Sequence, residues 1–456
     1  MHIRQRLRRV GLALVAGTVA LLGPGAAPAA ADSGAALPVG SHSDIVVDGV
    51  HRQVFVSDPV SGSVVVTDYD GALLRQITAV PGAAGLALSG DSGTLYVALR
   101  TGDAISAIDT ETLAETARWE TGAGTAPSQT AVAGGKLWFS YGSSGEGNIG
   151  SVDLSGDEPR VTLDQDGPYH WYSAPLLASA PGDPDVLVAG APGQSPVEVA
   201  VYDVSSGTAQ GQAYRWNPGA DGSGNLRDMA LTADGTTVVL ASGYPYHHHA
   251  YRTSDLAADG TYATDSYPNA VAVAPDGAVA AGIDGAYAPD VHLFDRGTST
   301  AIRSYDFQQP SGAAGLLRPA GLAWAPDASR VFAVTESPDS ANLTLRVLND
   351  PARTETTMTV EGPQSSPRNR ELTLTGRLAS TAPFAERSSV RVSRIGGPED
   401  GEGTALGTAA VAPDGGFTFQ DRPGTEGEIR YVFHYAGDAR HTDATGAVTV
   451  TVGSGR

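Results

Sequence analysis

The sequence predicts an all-β protein, and three observations support that fold class. Short runs rich in Val, Ile, Leu and Tyr alternate with turns rich in Gly, Asp and Ser, as in LYVALRTGDAISAIDTET from Leu95. Such residues favour pleated strands and tight reversals. The same strand, turn and strand pattern recurs several times before Pro351. Beyond Pro351 the period stops, and about seven shorter alternating strands follow.

Each copy of the repeat closes on a polar residue after its third strand. These residues are Asp68, Asp109, Asp153, Asp203, Asp255, Asp295 and Asn349. A short strand precedes each copy, as in LALSGDSGT at Leu86, and a fourth strand follows most copies. Units of about 40 to 54 residues with four antiparallel strands are typical of β-propeller blades, and seven such units can close a ring. We therefore expect a seven-bladed β-propeller over residues 32–351.

The last copy lacks a fourth strand, because its strands run out at Asp350-Pro351. An open sheet edge invites pairing with other chains. We expect residues 36–42, near the start of the propeller, to supply the missing outer strand and to latch the ring.

The repeat resembles a known family. YVALRTGDAISAIDTET, within the second copy, resembles the repeat of YVTN-type, surface-layer-like β-propeller proteins, in which a strand, a turn and a strand ending in V-I-D recur blade after blade. The resemblance covers roughly residues 40–351. The fourth to sixth copies depart from it through long insertions in their turns.

Residues 354–452 predict a second domain. Their strands alternate apolar and polar residues, as an immunoglobulin-like β-sandwich requires. The ending YVFHYAGDARHTDATGAVTVTV resembles bacterial Ig-like modules of extracellular proteins. That resemblance implies a spacer or a wall-associating unit.

Residues 1–31 have the pattern of a secretion signal, with a basic start, a short apolar run and an A-x-A site before Asp32. No later apolar stretch is long enough to span a bilayer. We expect a secreted, extracellular protein without a transmembrane anchor, either released or associated with the cell surface, and monomeric. A net charge of −21 and Lys136 as the lone lysine argue against nucleic acid. The chain has no cysteine, which excludes disulfides and thiolate chemistry.

The predicted strand order brings many aromatic and basic residues to one end of the propeller, around the mouth of its channel. The candidates for ligand binding are His170, Trp171, Tyr172, Trp216, Arg227, Tyr244, Tyr246, His247, Tyr287 and Arg318. Aromatic faces provide large contact areas at small entropic cost. The alternative is that these residues only cap the channel and cover the insertion loops.

Two segments offer candidate metal ligands, although we expect no cofactor. In GYPYHHHAYR, alternation along a strand allows only His247 and His249 to share an ion. In DGSGNLRD, the oxygen donors Asp221, Ser223, Asn225 and Asp228 faintly match a calcium loop, but the match lacks the glycine and the distal glutamate of an EF-hand. The segment SGDSG at Ser89 is interpreted as a turn in which glycine accommodates a positive φ, and we assign no catalytic residue.

These features favour a non-catalytic recognition protein that binds an extracellular or cell-wall ligand, whether protein, glycan or small molecule, at the channel mouth. One alternative is a secreted propeller enzyme, similar to lactonases or streptogramin-type lyases, with a divalent ion such as calcium at the channel mouth. Another is a structural surface protein. Fold alone does not choose among them.

Overall fold

A computed structural model of the chain describes residues 32–156, 158–217, 223–285, 289–307, 315–336, 342–396 and 403–454. Over these ranges the chain forms 36 β-strands and no helix, which confirms the predicted all-β class. No helix long and apolar enough to cross a membrane occurs in the part of the chain described. The predicted signal segment, residues 1–31, lies outside the described residues.

Twenty-eight strands, β1 to β28, form seven four-stranded antiparallel sheets within the described ranges. Sheet I contains β2 (Ile45–Asp48), β3 (Gln53–Asp58), β4 (Ser63–Asp68) and β5 (Leu73–Ile77). Sheet II contains β6 (Ala83–Leu88), β7 (Thr94–Leu99), β8 (Ala104–Asp109) and β9 (Ala114–Glu120). Sheet III contains β10 (Gln129–Ala133), β11 (Lys136–Tyr141), β12 (Asn148–Asp153) and β13 (Arg160–Thr162).

The next four sheets follow the same order. Sheet IV contains β14 (Leu176–Ala180), β15 (Asp183–Gly190), β16 (Glu198–Asp203) and β17 (Gln210–Trp216). Sheet V contains β18 (Gly224–Leu231), β19 (Thr237–Tyr244), β20 (His247–Arg252) and β21 (Ala258–Ala263). Sheet VI contains β22 (Tyr267–Val273), β23 (Val279–Asp284), β24 (Val291–Phe294) and β25 (Arg303–Tyr305). Sheet VII contains β26 (Leu317–Trp324), β27 (Arg330–Glu336), β28 (Leu343–Asn349) and β1 (Ser33–Ala36).

The first strands of the seven sheets contact one another in turn and so close a ring. Contacts run from β2 through β6, β10, β14, β18 and β22 to β26, and β26 contacts β2. Second strands such as β3 are buried along their whole length, because neighbouring sheets cover both of their faces. Outer strands such as β9 are largely exposed. This difference in burial explains why the sequences of second strands are continuous apolar runs, whereas outer strands contain charged residues.

An N-terminal strand completes sheet VII, but it lies earlier than expected. Strand β1 pairs antiparallel with β28 in the register Ser33↔Val347, and it ends at Ala36, where the expected segment 36–42 begins. After β1 the chain stays attached, because the amide of Leu37 donates to the carbonyl of Leu343 at 2.8 Å and the amide of Leu343 donates to the carbonyl of Val39 at 2.9 Å.

The recurring aspartates support turns, as their position at strand ends indicated. Asp109 Oδ1 accepts the amide of Thr112 at 2.7 Å, and equivalent bonds are made by Asp68, Asp153, Asp203 and Asp255. SGDSG is the turn between β6 and β7, but Ser92, and not a glycine, takes the positive φ of 59°. The equivalent positions in later sheets are Gly235, Gly277 and Ala328.

Residues after Thr354 form two further sheets that share one core. The smaller contains β29 (Thr357–Glu361), β31 (Leu372–Ala379) and β34 (Gly416–Asp421). The larger contains β30 (Ser365–Pro367), β36 (Ala444–Gly453), β35 (Gly427–Tyr435), β32 (Ser389–Ile395) and β33 (Thr404–Ala410). Leu374 and Phe417 from the smaller sheet pack with Tyr431 and Phe433 from the larger. The sequence did not indicate the short strand β30, which pairs parallel with β36.

Candidate functional site

Most predicted site residues lie at one end of the ring of sheets. Because consecutive strands are antiparallel, the turn from second to third strand and the connection to the next sheet leave at the same end. We call this the loop end. Residues 142–147, between β11 and β12, and residues 163–175, between β13 and β14, are two of its connections.

These two connections, together with residues 123–125 between β9 and β10, line an open cavity of about 470 Å³, which we call the acidic cavity. Its ionisable lining consists of Glu146, Asp164, Asp166, Tyr141 and His170, with no lysine or arginine. The backbone of glycines 142, 145 and 147 provides much of the remaining wall. Loops of this kind are usual positions for binding sites on a rigid scaffold.

Tyr141 and Asn148 fix the orientation of Asp164. The Tyr141 hydroxyl donates to Asp164 Oδ1 at 2.8 Å, and Asn148 Nδ2 donates to the same oxygen at 3.2 Å. Burial, together with the hydrogen bond to Asp164, raises the pKa of Tyr141 to about 12, so the phenol stays a donor. Asp164 is therefore held as an acceptor, and a ligand can use its remaining lone pairs.

Asp166 lies beside an exposed histidine. Burial raises the pKa of the Asp166 carboxyl, although the neighbouring His170 opposes that shift. His170 Nδ1 lies 3.6 Å from Asp166 Oδ2, and its ring is almost fully exposed. A partly buried carboxylate next to an exposed imidazole provides the cavity with both an acceptor and a donor.

Trp171, predicted as a ligand contact, lines the acidic cavity but is almost completely buried. Trp171 is only 3% exposed, whereas Tyr172 is 56% exposed. The Trp171 indole Nε1 donates to the Tyr202 hydroxyl at 3.2 Å, and that hydroxyl donates to the carbonyl of Asp166 at 2.9 Å. A buried indole needs such a partner. Trp171 thus supports the cavity from beneath.

Two glycines allow the cavity loops to approach each other. Gly142 has a φ of 95°, and a Cβ there would lie 2.0 Å from the carbonyl oxygen of Glu146. A Cβ at Gly147 would lie 2.2 Å from the backbone of Ser173. Any side chain at either position would force the loops apart.

Exposed aromatic rings form a second feature of the loop end. Tyr244, Tyr246 and Tyr267, which we call the tyrosine patch, are each about half exposed. The ring centroids of Tyr246 and Tyr267 are 4.7 Å apart, and the Tyr246 hydroxyl donates to that of Tyr267 at 3.1 Å. Trp216, at the end of β17, is 64% exposed. Tyr267, which begins the first strand of sheet VI, was not among the predicted site residues.

The remaining predicted residues are divided. Arg227 is exposed on β18, whereas the Arg318 guanidinium is paired with Glu336. Tyr287 and the calcium candidate Asp221 lie outside the described residues. Asn225 has a φ of 62° and donates its amide to the carbonyl of Gln194, which is the behaviour of a turn residue. No cluster of three or more His, Cys, Asp or Glu side chains able to hold a metal occurs among the residues described.

Two carboxylates lie in the ring interior: Asp44 was not predicted as a functional residue, and Asp228 was considered only as a weak calcium candidate. Asp44 and Asp228 line a cavity of about 260 Å³ among the first strands. Asp44 Oδ2 accepts the amide of Leu86 at 2.8 Å, and Asp228 Oδ2 accepts the amide of Val271 at 2.8 Å. Each bond joins one sheet to the next. Burial raises the pKa of Asp44 to about 7 and that of Asp228 to about 8.

As pH rises from 5 to 8, we expect the Asp228→Asn variant to lose less stability than the wild type. Because the pKa of Asp228 is raised on folding, the folded protein keeps a proton that the unfolded chain has released above about pH 4. Stability from this group is therefore fully present below about pH 4 and is lost as pH rises to about 8. The difference in melting temperature between Asp228→Asn and the wild type should change by at least about 2 °C between pH 5 and pH 8.

The control for this prediction is Glu111→Gln, which removes an exposed carboxylate from the turn between β8 and β9. It should leave the pH profile of the wild type unchanged. Burial lowers the pKa values of His42 and His248 to about 3. These two residues therefore make stability rise with pH below about pH 6.5, and they do so equally in every variant. If the stability of Asp228→Asn differed from that of the wild type by the same amount at every pH, Asp228 would not be a source of the pH dependence.

No protein-family model matches the chain, and no curated protein matches it. Solved structures do. Kuenenia stuttgartiensis hydrazine synthase is similar at 17% identity with a TM-score of 0.50, covering 68% of this chain and 96% of that one. The β-propeller domain of Cps50 (Swd1) from Myceliophteria thermophila has 12% identity and a TM-score of 0.53, covering 70% and 100%. U3-55K has 13% identity and a TM-score of 0.52, covering 71% and 100%. At these identities the likeness shows the fold alone: the ring of sheets is a β-propeller.

Proposed function

We propose that sheets I to VII are the seven blades of one closed propeller with YVTN-type repeats, extending over residues 32–351, and that residues 354–452 are an Ig-like β-sandwich. The closed sequence of contacts among the first strands supports the first part. The shared core of the two C-terminal sheets supports the second. With residues 1–31 as a cleaved signal, the protein is secreted, and the Ig-like module spaces the propeller or attaches it to the wall.

The propeller is a non-catalytic recognition domain that binds its ligand at the loop end. The acidic cavity is the observation that carries this proposal, because its volume is within the range of small-molecule sites. The tyrosine patch and Trp216 lie at the same end by strand order and provide further contact area. Exposed aromatic rings at the same end of the propeller as a polar cavity suit a ligand larger than the cavity itself.

The chemistry of the lining selects the ligand class. Glu146, Asp164 and Asp166 all accept hydrogen bonds, and no cationic side chain other than a protonated His170 opposes them. The ligand that fits is therefore rich in hydroxyl or amine donors, such as an amino sugar or another polyhydroxylated amine, and anionic ligands are disfavoured. The net charge of −21 adds long-range attraction for cationic ligands at low salt.

An array of neutral, amine-bearing and acidic glycans, probed with the purified protein with and without calcium, tests this proposal. Binding should favour amine-bearing members. Asp166→Asn should weaken the affinity by about 10 to 100-fold, since a charge-assisted hydrogen bond contributes about 1.5–3 kcal/mol. Glu111→Gln, the same loss of charge at the opposite end, should leave the affinity unchanged.

Two outcomes would reject this proposal of recognition at the acidic cavity. One is binding that survives Asp166→Asn unchanged, because the ligand would then occupy another surface. The other is chemical turnover of a bound member that stops on chelation, which would instead support the metal-dependent enzyme.

A further inference from the structure

The segment GYPYHHHAYR contains three consecutive histidines on β20, the third strand of sheet V. Successive side chains of a strand point to opposite faces. His248 points toward sheet VI, where its Nε2 lies 3.0 Å from the carbonyl oxygen of Ala270. His247, His249 and Tyr251 share the other face, and Tyr251 packs there with apolar residues of sheet IV such as Val199. The two outer histidines of the triplet therefore form a pair between two sheets.

The two rings are nearly at the separation that a shared metal ion requires. The ring centroids of His247 and His249 are 4.4 Å apart with an interplanar angle of 49°. A tetrahedral ion with metal–nitrogen bonds of about 2.0–2.1 Å places two imidazole centroids about 5 Å apart. The rings need to separate by less than about 1 Å, and half-buried His247 is the ring that can move toward solvent.

The surroundings support such a pair. His249 is buried and stacks on Tyr251, with centroids 5.8 Å apart and planes at 20°, so one ligand is held in place. His247 is half-buried and gives solvent access. In the outer strand β21 the residues opposite are Ala263 and Thr261, which are small enough to leave space.

Ser242 provides a further polar group on this face. The pairing of β19 with β20 ends at Leu240↔His249, and Ser242 lies two residues further along β19, on the same face as Leu240 by alternation. Its side chain is only 1% exposed, and its Oγ has no hydrogen-bond partner among the described residues. A buried hydroxyl without a partner is costly. A metal-bound water next to His247 would satisfy it.

We propose that His247 and His249 bind one divalent transition-metal ion, with water completing the coordination. Imidazole ligands suit copper, zinc and nickel, and affinity for such a site is greatest for Cu²⁺. Each histidine uses one ring nitrogen, and a hydrogen bond from the other is usual for metal-ligating imidazoles. This site is distinct from the acidic cavity, which lies between β11 and β14, and does not depend on the proposed function.

Titration of the purified protein, prepared without a polyhistidine tag, with Cu²⁺ tests the site by electron paramagnetic resonance. We expect one tightly bound Cu²⁺ per chain with hyperfine coupling to two imidazole nitrogens. His247→Gln should weaken binding by at least about tenfold and leave one nitrogen. Zn²⁺ should compete with the bound copper.

The control is His170→Gln, which removes a more exposed imidazole at the same end of the propeller and should preserve the copper signal. Because His247 is half-buried, its replacement leaves the fold intact, and a melting curve verifies this. Unchanged copper affinity in folded His247→Gln would overturn the proposal. So would binding that is lost with His170→Gln instead, or a wild-type spectrum with fewer than two nitrogens.

Discussion

A chain that begins at Asp44, without β1 and the residues that follow it, is expected to melt at least about 5 °C below a chain that begins at Asp32 and to aggregate. Removal of β1 leaves β28 as an open edge that can pair with other chains. It also removes Leu37 and Val39, which are buried in a core between sheets I and VII. Burial of two such side chains contributes about 1.5–3 kcal/mol each.

Single substitutions separate the burial effect from the edge effect. Leu37→Ala should lower the stability by about 2–5 kcal/mol, because it leaves a cavity while β1 stays in place. Val50→Ala, in an exposed position on sheet I, should have almost no effect. Thermal melting with light scattering measures both quantities. A truncated chain that stays monomeric with an unchanged melting curve would show that β1 does not latch the ring.

Periodic features were the ones that sequence alone predicted well. Second and third strands are covered on both faces, so their apolar runs had to be continuous. The aspartates at the ends of the third strands recur because they accept amides of the turns that follow. Strand β1 was harder to predict. Its sequence SGAA has weak β-propensity, and the strand exists because β28 offers it an edge. No local pattern identifies such a strand or its limits.

The site was predicted only in outline, because its contacts join distant residues. Strand order placed the aromatic residues at the loop end, but it could not distinguish buried Trp171 from exposed Tyr172, its neighbour. The pair Asp164 and Asp166, in a long connection between strands, was a signal that could have indicated the acidic cavity. The local sequence marked Asp228 only as a weak calcium candidate and gave no sign that it joins two sheets, since its partner amide belongs to Val271 in the next sheet.

Trp171→Ala is expected to destabilise the propeller by about 3–5 kcal/mol, the usual cost of removing a buried tryptophan side chain. Trp171 packs in a core between sheets III and IV with Trp138 and Tyr202. Its backbone also pairs with Gly147, so the loss would loosen both connections that enclose the acidic cavity. Thermal unfolding should show the lower stability, and binding of an amine-bearing glycan should weaken more than it does in Asp166→Asn.

Tyr172→Ala provides the matched control, because it removes a neighbouring aromatic ring that is exposed. A surface substitution of this kind changes stability by less than about 0.5 kcal/mol. If Trp171 supports the cavity from beneath, Trp171→Phe should restore part of the stability, since a smaller ring fills part of the space without the hydrogen bond to Tyr202. Ligand affinity should then recover in proportion to stability. The contradicting result is an equal loss of binding in Tyr172→Ala and Trp171→Ala while both proteins stay fully stable. Trp171 would then contact the ligand directly, and its effect on binding would not come from support of the cavity.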